Sequence, residues 1–246
     1  MSGCARDPVP LTEYDRQLFS HGLRKWVHEG RFHWLRRETR GLSGAVIELG
    51  CFNARSLQYL SFTPTRYLGL DAGTGGGLDE AIARYPQHEF RRSSDPADVS
   101  GRWDVALALE TLEHLPRPGA LEAYVARLAA CAPLLLATVP VETGPLFAAK
   151  FLYKKHVYGF RADHSFRDFV NQTLGRCERV PQDGHRGFDY RALVRLLSQY
   201  YRIVRVEGVR PWLPRFLNTQ IAIRAESRLF GRTSRSEPPP AGGRGA

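Results

Sequence analysis

The chain has 246 residues, 43% hydrophobic and 24% charged, enough for one large α/β domain or two small ones. That size and composition exclude a disulfide-dependent mini-protein and a wholly disordered chain. The formal net charge of +10, carried by 31 Arg and 4 Lys against the acids, admits nucleic acid, an anionic membrane or acidic metabolites as partners without choosing among them.

The four cysteines (Cys4, Cys51, Cys131 and Cys177) are widely spaced and form no CxxC pair. They read as free thiols in a reducing compartment, and no metal site is expected. The first residues are polar and proline-containing, with no apolar core of a signal segment. The longest apolar stretch, residues 121–141, holds Arg127 and is divided by Pro133, so it falls short of the roughly 20 uninterrupted residues of a spanning helix. A cytoplasmic protein is expected.

Taken in chain order, residues 14–40 read as a helix, its Trp and Leu positions interleaved with Arg and Lys. This preface, residues 1–44, precedes a sheet-forming domain at 45–224. Residues 45–50 are a short apolar run ending at Gly50, as expected of a buried parallel strand. A short helix at 56–60 follows, then a second strand at 66–70 ending on Asp71. The glycine-rich stretch 73–77 leads into a helix at 78–84. It lacks the Gly-Lys-Ser/Thr ending of a phosphate-binding P-loop.

Further strands are read at 89–92, 103–109 and 134–139, with an amphipathic helix at 120–132 that places Leu121, Tyr124, Val125 and Leu128 on one face. Beyond Pro140 the pattern changes to an aromatic and basic insertion at 143–187, a cap over the sheet. It includes a short helix at 166–174 with Ser165 as its N-cap. A helix at 189–200 and strands at 201–206 and 217–224 complete the domain. The connection between the last two strands is too short for a helical crossover, so they should pair antiparallel. Residues 225–246 form an extension that becomes Pro/Gly-rich, and by composition disordered, from 233. The alternation predicts an α/β fold: a Rossmann-like seven-stranded, mostly parallel sheet with helices on both faces and an antiparallel last strand.

Ligands of such sheets lie beyond the carboxyl ends of the strands. The residues there are Glu48, Gly50 and Cys51 after the first strand, Asp71 after the second, Asp95 after the third, and Glu110, Thr111, Glu113 and His114 after the fourth. Asp71 lies 23 positions after Glu48, near the spacing at which a carboxylate accepts hydrogen bonds from ribose hydroxyls. Its other reading is an acidic cap of the glycine-rich turn. Asp95, within Ser93-Ser94-Asp95-Pro96, is equally an ordinary turn residue. So many acids favour a cationic ligand and would repel a pyrophosphate.

The blocks VIELGC, YLGLDAG, WDVALALETLEHLP, LLLATVPVE and GHRGFDYRALVRLLSQYYRIVRVEG resemble, in order, the motifs of class I S-adenosylmethionine-dependent methyltransferases. The likeness is nearest to the small-molecule group with an E-x-L-E-H-L turn and covers residues 45–224. It implies S-adenosylmethionine as cofactor, with Glu48, Gly50 and Cys51 around its methionine moiety, Asp71 on the ribose, Asp95 near the adenine, and Glu110 and Thr111 bordering it. One departure stands out: Phe52 and Ala54 occupy the second and third glycine positions of the family's E-x-G-x-G-x-G loop.

Such an enzyme aligns an acceptor with the methyl group, and a hydroxyl acceptor also needs a base. Candidates for that base are His114, Glu142, His164 and His185. The expected reaction is O-methylation of a small-molecule or glycan-like acceptor. Alternatives are an RNA or protein methyltransferase using the basic surface, and a non-catalytic S-adenosylmethionine-binding protein. Residues 146–161 read either as a lid on the acceptor pocket or as a peripheral membrane contact.

Overall fold

A computed structural model describes residues 22–73, 76–115, 119–158, 165–214 and 217–231. The first residues of the predicted N-terminal helix, His164 and the tail from 233 lie outside this set. The described residues form a seven-stranded sheet in the order β3-β2-β1-β4-β5-β7-β6. Its strands are β1 (Val46–Leu49), β2 (Tyr67–Asp71), β3 (Glu89–Arg92), β4 (Val105–Leu109), β5 (Leu134–Pro140), β6 (Tyr201–Gly208) and β7 (Gln220–Ser227). The first five strands pair parallel, and β7 runs antiparallel to both β5 and β6.

Helices cover both faces, which is why β1, β4 and β5 are buried at every position and mostly apolar rather than alternating. On one face Ile47, Leu68, Ala106 and Leu135 pack beneath α3 (Ala120–Cys131) and α6 (Tyr190–Tyr200). The stripe of Leu121, Tyr124, Val125 and Leu128 supplies the buried side of α3. On the other face Val46, Val105, Leu107 and Leu136 meet Phe32, Trp34 and Leu35 of α1 (Gly22–Glu38) and Ala81 of α2 (Gly77–Arg84). Polar contacts tie α1 to the far edge of the sheet: Trp34 Nε1 donates to Glu207 at 3.0 Å, and Arg205 pairs with Glu38 at 2.8 Å.

The insertion after β5 folds as α4 (Gly144–Tyr158) and α5 (Phe166–Thr173). Ser165 is the N-cap of α5, with Asp168 completing a capping box, as its spacing predicts. Two details depart from the predicted elements. The segment after β1 is a single 3₁₀ turn, Arg55–Gln58, rather than an α-helix. The last strand begins at Gln220, not 217, because buried Asn218 is committed to the preceding turn. Its Nδ2 faces the carbonyls of Arg210, Leu213 and Pro214 at 3.1–3.2 Å, and its Oδ1 accepts from Arg210 N–H at 3.0 Å.

Candidate active site

The strand order reverses between β1 and β4, so the loops leaving these neighbours diverge and open a crevice at their carboxyl ends. A cavity of about 790 Å³ occupies it. Glu48, Gly50, Cys51, Asp71, Glu110, Thr111, His114 and His185, eight of the residues singled out in the sequence, line this one cavity.

Glu48 is buried at the end of β1, and its Oε2 accepts from both Ser56 Oγ and Tyr67 Oη. Burial pushes its carboxyl up to about 7; these two hydrogen bonds and the charge of Arg31 oppose the rise, and the charge of Asp71 adds to it. Burial, reinforced by the same acids, pushes the neighbouring Cys51 thiol far above its ordinary value, so it is an apolar wall and not a nucleophile.

Gly50 takes a φ of +70°, and a Cβ there would lie 2.1 Å from Thr111 Oγ1. Phe52 and Ala54 also adopt left-handed backbone, at φ 46° and 52°. The loop thus keeps glycine-like geometry at the two positions where the sequence has lost glycine. Gly77 leaves the space that the Phe52 ring fills, since a Cβ there would lie 2.4 Å from it.

Asp71 unites the two roles that its sequence position left open. Its Oδ2 accepts from Phe52 N–H and its Oδ1 from Gly73 N–H, both at 2.8 Å, so it ties the β1 and β2 loops together while facing the cavity. Each carboxylate oxygen retains a second lone pair for a ligand. Asp95 is placed differently from its neighbours. It caps the 3₁₀ turn Pro96–Asp98, accepting from Ala97 N–H at 2.8 Å, and the cavity wall at this strand end is made by Ser93 and Ser94.

Glu110 has a φ of 57°, a strained backbone for a non-glycine residue, and its Oε1 is buried without a hydrogen-bond partner. Burial raises its carboxyl, opposed by Arg31, Gln220, Lys150 and Thr138. Glu113 is 1% exposed, with both carboxylate oxygens unpartnered. Burial, and next the charge of Glu110, hold it well above the usual carboxylate range.

His114 and His185 meet edge to face, with ring centroids 4.9 Å apart. Glu142 stands behind His185 and does not line the cavity. Its Oε1 lies 3.5 Å from His185 Nδ1 and accepts from Lys150 Nζ at 3.0 Å. Three of the proposed bases therefore converge from separate parts of the chain.

Some residues of the site carry no signal in the sequence. Arg31 and Phe32 reach the cavity from α1. Buried Gln172 on α5 donates to the carbonyls of Glu142 and His185 at 2.9 and 3.1 Å and accepts from Gly187 N–H at 3.1 Å. These are pairings between distant segments, and a hydrophobic pattern does not encode them.

Solved structures share this architecture. An S-adenosylmethionine-dependent methyltransferase from Clostridium acetobutylicum ATCC 824 superposes with a TM-score of 0.59 at 10% identity, over 87% of this chain and 96% of that one. The N-methyltransferase NodS from Bradyrhizobium japonicum WM9, in complex with S-adenosyl-L-homocysteine, gives 0.54 at 12% identity, over 86% and 91%. A DhpI-SAM-HEP complex gives 0.53 at 15% identity, over 85% and 91%.

The fold is that of the class I methyltransferases.

No family model and no curated protein matches the sequence. In this methyltransferase fold the sheet is the expected one, down to the reversed β7. Among the described residues, no helix is long and apolar enough to cross a membrane.

Proposed function

We propose that the chain is an S-adenosylmethionine-dependent methyltransferase that O-methylates a small, polar, glycan-like acceptor. The observation that carries this reading is that one cavity at the strand ends gathers acids and imidazoles from separate parts of the chain. Glu48, Asp71, Glu110 and Glu113 line it as acids, and His114 and His185 add two imidazoles. The solved relatives in complex with S-adenosyl-L-homocysteine or SAM support the choice of cofactor.

The residues present fit such a ligand. Gly50 leaves a bare backbone against Thr111, and the carboxylates of buried Glu48 and of Glu110, the latter with a buried, unpartnered Oε1, suit a cationic molecule. Asp71 would accept from the ribose hydroxyls, Glu48, Gly50 and Cys51 would surround the methionine part, and Glu110 and Thr111 would border it. With Asp95 turned into its own cap, the Ser93–Ser94 segment takes the adenine side. S-adenosylmethionine supplies an electrophilic methyl group on a sulfonium.

The chain's own contribution is to hold an acceptor oxygen in line with that methyl and to manage its proton. The cluster of Glu113, His114 and His185, backed by Glu142, is the polar group placed for this. Gln172 fixes the backbone on either side of it, and α4 and α5 form the cap.

Calorimetry with S-adenosylmethionine and S-adenosylhomocysteine tests the cofactor half, with one molecule bound per chain expected. Turnover on a panel of sugars and small alcohols, repeated across salt concentrations, tests the acceptor half. A flat salt response supports a small acceptor, whereas a steep loss on RNA with added salt would move the assignment to nucleic acid. Failure of both cofactor forms to bind would sink the proposal.

A further inference from the structure

Three side chains able to ligate a metal meet in the cavity wall, and one of them is a buried acid without a hydrogen-bond partner. Glu113, His114 and His185 each offer a ligand atom, and these atoms all lie within 4.8 Å of one another. Glu113 is 1% exposed, with neither carboxylate oxygen hydrogen-bonded. Leaving such a group unsatisfied costs about 1–3 kcal/mol, more when it is charged. His114 does not relieve it, because its Nε2 lies 3.9 Å from Glu113 Oε1, beyond hydrogen-bond reach. The two imidazoles stand at 89° to each other, edge to face.

We propose that Glu113, His114 and His185 bind a divalent first-row transition cation on the acceptor side of the cleft. Two imidazole nitrogens and one carboxylate oxygen are a borderline donor set that favours manganese, iron, cobalt, nickel or zinc over magnesium or calcium. The support behind the ligands points the same way. Glu142 Oε1 lies 3.5 Å from His185 Nδ1, in the manner of carboxylates that orient metal-binding imidazoles, and Lys150 holds Glu142 in turn. Gln172 pins the His185 carbonyl. Both histidine side chains are about half exposed, at 53% and 51%, so the cation's remaining positions face open space. Three protein ligands with open positions are the pattern of a catalytic ion, whereas a structural one is closed by four.

The cation site rests on this geometry alone. That an acceptor oxygen would complete the ion's shell rests on the methyl-transfer reading above.

The test uses the full chain stripped with chelator and titrated with Co²⁺ and Mn²⁺, followed by calorimetry and, for cobalt, visible absorption. One equivalent should bind. His114→Ala and His185→Ala should each weaken binding by at least about tenfold to a hundredfold. His156→Ala, at an exposed position on α4, should bind like the parent. Should Glu113→Gln fail to fold, the two half-exposed histidines still carry the test.

S-adenosylhomocysteine affinity is measured on the same samples. Loss of the cation with intact S-adenosylhomocysteine binding in the two histidine variants supports the site. Absence of stoichiometric cation binding in the parent, or unchanged affinity in both variants, overturns it. An absence of S-adenosylhomocysteine binding beside normal cation binding would sink the methyl-transfer reading and leave the cation site standing.

Discussion

Gly50 and Thr111 close the crevice between β1 and β4 by direct approach: a Cβ on Gly50 would lie 2.1 Å from Thr111 Oγ1 and 2.5 Å from its Cγ2. The Gly50 φ of +70° adds a second reason for glycine. A left-handed backbone costs other residues about 1–2 kcal/mol before any clash is counted. Gly50→Ala should therefore destabilise the chain by at least about 2 kcal/mol in urea unfolding and abolish measurable S-adenosylhomocysteine binding. Adding Thr111→Ala removes the two nearest atoms and should recover part of the stability, leaving the share due to positive φ and to the Thr111 Cβ, 2.8 Å away.

Ala54 presents the opposite case, a side chain where the loop geometry suits glycine. Its φ is 52°, and it is fully buried. Ala54→Gly relieves about 1 kcal/mol of backbone strain and loses about the same in methyl burial and chain entropy, so its unfolding midpoint should barely move. Ala54→Val adds a β-branched side chain at positive φ in a filled space and should cost more than about 2 kcal/mol. Urea unfolding of the two variants separates a strained loop from a relaxed one.

The Glu48 carboxyl, pushed up to about 7 by burial, makes stability depend on pH. Between the ordinary value of 4.5 and about 7 the folded chain binds more protons at this site than the unfolded chain. Stability from this group is therefore fully present below 4.5 and is lost as pH rises through about 7. Unfolding at pH 5 and pH 8 should show Glu48→Gln narrowing the difference by about 3 kcal/mol. Glu110 and Glu113, raised in the same direction, should keep a residual slope in that variant.

The central parallel strands were legible because they are mostly apolar runs bounded by glycine or proline, as in 45–50 and 134–139. The edge was less so. The start of β7 depends on where the Asn218 side chain spends its hydrogen bonds, and Ile203 and Arg205 flank a register shift in β6. The acidic strand ends were legible one by one, because each lies within a few residues of a strand's carboxyl end. Their environment was not: burial raises Glu48 and Glu113, whereas Asp95 turns into a local cap. The meeting of His114, Glu142 and His185 depends on the cap insertion folding back through Gln172, a long-range pairing with no periodic trace.

Asp71 is the residue at which a structural role and a ligand role can be told apart. Both oxygens accept backbone N–H groups, from Phe52 and Gly73, and such charge-assisted bonds contribute about 1.5–3 kcal/mol each. Asp71→Ala forfeits both, and Asp71→Asn keeps one acceptor while turning an amide donor toward another donor. Both variants should unfold earlier, alanine by about 2–4 kcal/mol and asparagine by roughly half of that. A turn cap alone predicts nothing more: the folded fraction would bind S-adenosylhomocysteine as the parent does. A carboxylate that also accepts from a ribose predicts at least a tenfold loss of affinity in the folded Asp71→Asn chain, because the amide matches only one of two hydroxyl donors. Calorimetry at a temperature where the variant is fully folded decides between them, and an unchanged affinity would reduce Asp71 to the cap of its own turn.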